Sequence, residues 1–64
     1  MRDTVRKSHY KIYYRGKDGT QGTYFIASEN AHFAVTDFVL RTGQSRESVI
    51  SVEVQGGRRW VRVL

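Results

Sequence analysis

Trp60 and Arg62 stand two residues apart in the closing segment RRWVRVL, and Lys11, Tyr13 and Arg15 repeat that spacing in HYKIYYR near the start. In an extended strand, residues two apart share a face. Each segment therefore sets rings and cations on one side. Aromatic faces accept stacked bases and Lys or Arg meets phosphate, so the chemistry this pattern suits is contact with a single-stranded nucleic acid. Arg58 adds a cation beside Trp60, and Arg2, Arg6 and Lys7 add salt-sensitive charge at the other end.

The charge is unevenly spread. Residues 1–17 hold six basic side chains against Asp3 alone, and residues 58–64 hold three arginines and no acid. Between them, residues 18–57 set Arg41 and Arg46 against five carboxylates. A polyanion-facing surface results if the fold brings the two basic ends together.

Other chemistry finds no constellation. The chain has no cysteine, so disulfides and thiolate metal sites are excluded. His9 and His32 have no carboxylates spaced to converge on them, and no metal or other cofactor is expected. Asp37 and Glu53 show no partner for acid–base work, and Ser45 and Ser48 have no nearby base. The glycines of GKDGTQG are three apart, but they fall in a hairpin and not between a strand and a helix, so they do not form a phosphate cradle. No enzyme and no small-molecule substrate is expected.

Sixty-four residues make one domain with a thin core. Residues 1–7 read as a flexible basic arm and residues 8–64 as the folded unit. The opening MRDTVRKSHYK lacks the apolar stretch of a secretory signal, and no apolar run reaches membrane-spanning length. A cytoplasmic protein without membrane contact is expected.

HYKIYYR alternates with period two and reads as a strand, and TYFIA is its return after GKDG. Closing this hairpin at Asp18-Gly19 opposes Ile12 to Phe25 and Tyr13 to Tyr24, turning Phe25 inward and Tyr24 outward. A three-residue loop would instead bury Tyr24 and Ile26. SENAHFAVTDFVLRTG reads as the one helix, with Ser28 as its cap, Glu29 in its first turn and Gly43 at its end. Ala31, Ala34, Val35, Phe38 and Val39 share the arc that packs inward, while Phe33 and Leu40 fall on the opposite side. Either the GQSRES connection folds back over those two, or they contact a partner. VISVEV and RWVRV form a second hairpin through Gly56-Gly57, which opposes Val52 to Val61, Ile50 to Val63 and Glu53 to Trp60. An unpaired arginine in the core is costly, so Arg62 faces solvent and Trp60 goes with it.

The order is ββαββ, an α+β domain with one helix on one face of a four-stranded sheet. In element order and length it resembles the β-grasp plan of small immunoglobulin-binding bacterial domains. That resemblance implies a mixed sheet whose first and last strands are parallel neighbours at its centre. The expected open face then carries Lys11, Tyr13, Arg15, Tyr24, Arg58, Trp60 and Arg62, with His9 alongside. The function expected is non-catalytic binding of RNA or single-stranded DNA. The alternative is a protein-binding module or inhibitor, homodimeric or not, using the sheet face or Phe33 and Leu40.

Overall fold

A computed structural model describes residues 6–64; the expected basic arm lies outside the described residues except for Arg6 and Lys7, which are exposed. The elements are β1 (Ser8–Arg15), β2 (Gln21–Ser28), α1 (Ala31–Thr42), a short 3-10 turn (Arg46–Ser48), β3 (Val49–Gly56) and β4 (Arg59–Arg62). The fold is α+β, with α1 packed on one face of a four-stranded sheet. Among the described residues, no helix is long and apolar enough to cross a membrane.

The sheet order is β2-β1-β3-β4 and every neighbouring pair is antiparallel. The mixed sheet with parallel β1 and β4 at its centre is therefore corrected. Residue types explain why β3 and not β4 sits beside β1. Strand β3 is eight residues long and its Val52 and Val54 lie opposite Ile12 and Tyr10 in the core. Strand β4 has four residues, with an arginine at each end. Arg59 shares the helix-side face with Val61, so a central β4 would carry a guanidinium under α1, whereas the edge leaves it in water.

Both hairpins close differently from expectation. The first has a three-residue loop, Lys17–Gly19, bounded by a hydrogen bond from the Gly16 N–H to the Thr20 carbonyl (2.8 Å). The Gly19 N–H returns to the Gly16 carbonyl (3.0 Å) with Gly19 left-handed, as in a type I turn with a glycine bulge. The register becomes Ile12↔Tyr24 and Lys11↔Phe25. Relative to the two-residue closure this is a slip of one, which exchanges the faces: Tyr24 and Ile26 pack inward and Phe25 points out. The second hairpin turns at Gly57-Arg58, with Gly57 at positive φ, and opposes Gln55 to Trp60 and Glu53 to Arg62. That slip is of two residues, so partners change while faces do not. Ile50 does not meet Val63; it is the extra residue of a bulge where Tyr13 faces Ser51 and Tyr14 faces Val49, and it is exposed.

The helix begins later than expected. Strand β2 runs on to Ser28, opposite Ser8, so the cap is Asn30, whose Oδ1 accepts from the Phe33 N–H (2.8 Å). Glu29 consequently precedes the first turn. At the far end the Gly43 N–H donates to the Val39 carbonyl (3.0 Å). Ala34, Val35 and Phe38 are buried against Tyr10, Ile12 and Val52, with Ala31 and Val39 at the margin. Phe38 is the hub, its ring 5.0 Å from that of Tyr14 and 5.5 Å from that of Tyr24. The GQSRES connection does not cover the outer stripe: Arg46 bonds Thr36 (3.0 Å) on the helix flank, and Leu40 stays 76% exposed and Phe33 48%.

Candidate nucleic-acid interface

Among the described residues, the sheet face away from α1 carries no second layer. Alternation sends His9, Lys11, Tyr13 and Arg15 of β1 to that face, and their neighbours follow by register. One line crosses all four strands: Phe25 on β2, Lys11 on β1, Glu53 on β3 and Arg62 on β4. Trp60, opposite Gln55, is on the next line.

Strand β3 separates β1 from β4, so their backbones lie about 10 Å apart. The two aromatic-basic segments nonetheless converge, because the indole leans across. The Lys11 Nζ is 4.4 Å from the Trp60 ring centroid, 5.7 Å from that of Tyr13 and 5.8 Å from that of Phe25. The Phe25 and Trp60 centroids are themselves 6.1 Å apart and tilted by 60°, within the range of attractive ring pairs. The ammonium is also 3.9 Å from the Glu53 Oε1, which accepts a hydrogen bond from the Tyr13 hydroxyl (3.3 Å). Lys11 and Glu53 are mostly covered, with side-chain exposures of 18% and 25%. The centre of the face is thus a neutral pair roofed by rings.

The cations that form no ion pair among the described residues lie around that centre. Arg15 is exposed at the end of β1, opposite Gln21. Arg62 is exposed on β4, its Nε donating to the Leu64 carbonyl (3.2 Å). Arg58 is exposed in the β3–β4 turn. Glu53 is the one acidic side chain that the register places on this face among the described residues.

Of the residues expected there, Lys11, Tyr13, Arg15, Trp60 and Arg62 share the open face, with Arg58 at its margin. Tyr24 does not; it lies on the helix side, edge-on to Phe38. Its place is taken by Phe25, which sequence reasoning put in the core and which is 63% exposed. The signal that could have found it is Lys17-Asp18-Gly19 read as a three-residue loop. There the Asp18 carboxylate accepts from the Thr20 N–H (3.0 Å), which holds its pKa below the usual carboxylate range. Phe33 and Leu40 remain on the outer side of α1. Among the described residues, no three His, Asp or Glu side chains are grouped to hold a metal ion. No protein-family model, curated protein or solved structure matches the chain.

Proposed function

We propose that this domain is a non-catalytic binder of single-stranded nucleic acid, RNA or DNA, acting through its open sheet face. The reading rests on one observation: the exposed Phe25 ring stands 6.1 Å from Trp60 on an uncovered sheet whose margins carry Arg15, Arg58 and Arg62. Bases stack on the two rings, while the Tyr13 hydroxyl is engaged by Glu53. Phosphates meet the arginines, whose planar forks suit them. An uncovered face of this kind admits splayed bases, whereas duplex DNA shows its base edges only within its grooves.

A tryptophan-fluorescence titration against single-stranded RNA, single-stranded DNA and duplex DNA tests this. Quenching by the single strands is expected, and about three phosphate contacts imply an affinity loss of roughly 15- to 20-fold between 50 and 200 mM salt. Trp60→Ala should remove one of the two stacking rings, and Arg62→Glu should lower the salt dependence by about a third. Absence of binding at low salt would overturn the reading. It would favour the protein-binding alternative, for which Phe33 and Leu40 supply an exposed apolar stripe on α1.

A further inference from the structure

Among the described residues the sheet has two free edges, and they differ in kind. Strand β4 is short and guarded by Arg59 and Arg62, with Arg58 in the turn before it. Charged side chains on a short edge are a standard defence against pairing with another chain. Strand β2, QGTYFIAS, has none of these defences. It is eight residues long, holds no charge and no proline, and runs along β1 in unbroken register without a bulge.

Its unpaired groups can be named. The Gly16–Thr20 pair is hydrogen-bonded, and bonded pairs alternate along an antiparallel ladder. Gly22, Tyr24, Ile26 and Ser28 therefore bond to β1, and the N–H and C=O groups of Gln21, Thr23, Phe25 and Ala27 face outward. An antiparallel two-fold pairing that sets Thr23 against Phe25 of the second copy, and Gln21 against its Ala27, satisfies all of them.

Charge along this edge is arranged for such a pairing. Glu29 and Asp37 adjoin the Ser28 end, where they line one depression with Ala27 and Ser28. Arg15 and Lys17 adjoin the Gln21 end. Arg41, four residues after Asp37, lies on the same helix flank near that end, where Gly43 and Gln44 meet the hairpin loop. The opposite flank is tied by Thr36 and Arg46 towards β3. Opposing charges sit at each end as well, Arg6 and Lys7 before Ser8 at the first and Asp18 at the second. An antiparallel neighbour brings Glu29 and Asp37 of each copy towards Arg15, Lys17 and Arg41 of the other; a parallel one would bring each group towards its own kind.

We infer that a second copy of this chain pairs antiparallel along β2, making an eight-stranded sheet. The inference stands apart from nucleic-acid binding, although it would set the two open faces side by side with their Phe25 rings near the axis. Sedimentation equilibrium over micromolar to sub-millimolar concentrations should show conversion from monomer to dimer, weakened by salt. Thr23→Pro removes an outward N–H that the monomer leaves unbonded, which an edge strand tolerates. It should weaken the dimer at least about tenfold while the circular dichroism of the monomer stays unchanged. Arg62→Pro, which alters the β4 edge, should leave the dimer intact. In the unmodified protein, hydrogen exchange at the Thr23, Phe25 and Ala27 amides should slow as concentration rises, a readout independent of either variant. A chain that stays monomeric throughout overturns the inference. So does a dimer that dissociates on Arg62→Pro, or one that leaves those three amides unprotected.

Discussion

Tyr24 and Phe25 are adjacent aromatic residues on one strand, and truncating each to alanine should have opposite consequences. Tyr24 is half-buried with its ring edge-on to Phe38 at 5.5 Å. A fully buried ring costs about 3–5 kcal/mol on truncation, so a half-buried one that also forfeits an aromatic pair should cost about 2–3 kcal/mol. For a domain of this size that is a fall in Tm of roughly 10–20 °C. Phe25 is 63% exposed. Full burial of such a side chain is worth up to about 3 kcal/mol, so Phe25→Ala should cost no more than about 1 kcal/mol of stability. If bases stack there as proposed, removing the ring should forfeit about 1–3 kcal/mol, or roughly 5- to 150-fold in Kd. Thermal melts followed by far-ultraviolet circular dichroism give the first quantity. Fluorescence titration with a single-stranded oligonucleotide, at protein concentrations too low for dimers, gives the second. Tyr24→Ala weakening binding at an unchanged Tm would refute the reasoning, because β2 would then face the other way. Phe25→Ala with full affinity would refute the stacking role.

Gly22 lies opposite Tyr14, and a Cβ there would stand 2.6 Å from the Tyr14 ring, which is itself held against Phe38. Gly22→Ala should therefore destabilise the domain by about 1–3 kcal/mol through overpacking. In a Tyr14→Ala background the same change should be neutral or stabilising by a few tenths of a kcal/mol, since an alanine restricts the unfolded chain more than a glycine. Urea denaturation of the four proteins measures the coupling, and additive effects would contradict the close approach. At Asp18 the Thr20 N–H favours the ionised form and lowers the pKa in the folded state. The stability it adds is complete above the unfolded-state carboxylate pKa and is lost as pH falls through the lower folded-state value. Asp18→Asn should accordingly lower Tm at neutral pH by a small amount that shrinks in acid; a Tm difference constant with pH would show that charge is not the cause.

Periodicity carried what depends on parity alone. The helix arc from Ala31 to Val39 and the outward placement of Lys11, Tyr13, Trp60 and Arg62 follow from spacing within one element. The second hairpin could slip by two residues without disturbing them. The face of β2 depended on whether its loop holds two residues or three, and Asp18-Gly19 fits both. Strand order was harder still, because ββαββ suits either a parallel or an antiparallel centre. The residue that separates the two is Arg59: it shares a face with Val61, and only an edge position keeps it out from under α1. Phe25 was missed for the same reason that Tyr24 was misplaced, since one slip moves both.

The arrangement around Lys11 also bears on which groups meet a polyanion. A cation at the centre of a sheet, largely covered by rings, loses hydration, and Glu53 compensates it at 3.9 Å. A phosphate arriving there would have to displace that carboxylate or sit beside it, and would meet an indole before it met the ammonium. The centre of the face is thus suited to uncharged, flat groups. The arginines at the margin, each exposed and none in an ion pair among the described residues, are suited to charged ones. On the proposed reading, a bound strand would lay its bases across Phe25 and Trp60 and its backbone towards Arg15, Arg58 and Arg62. Its affinity should then respond to salt through the arginines and to ring truncation through the centre, as two separable terms.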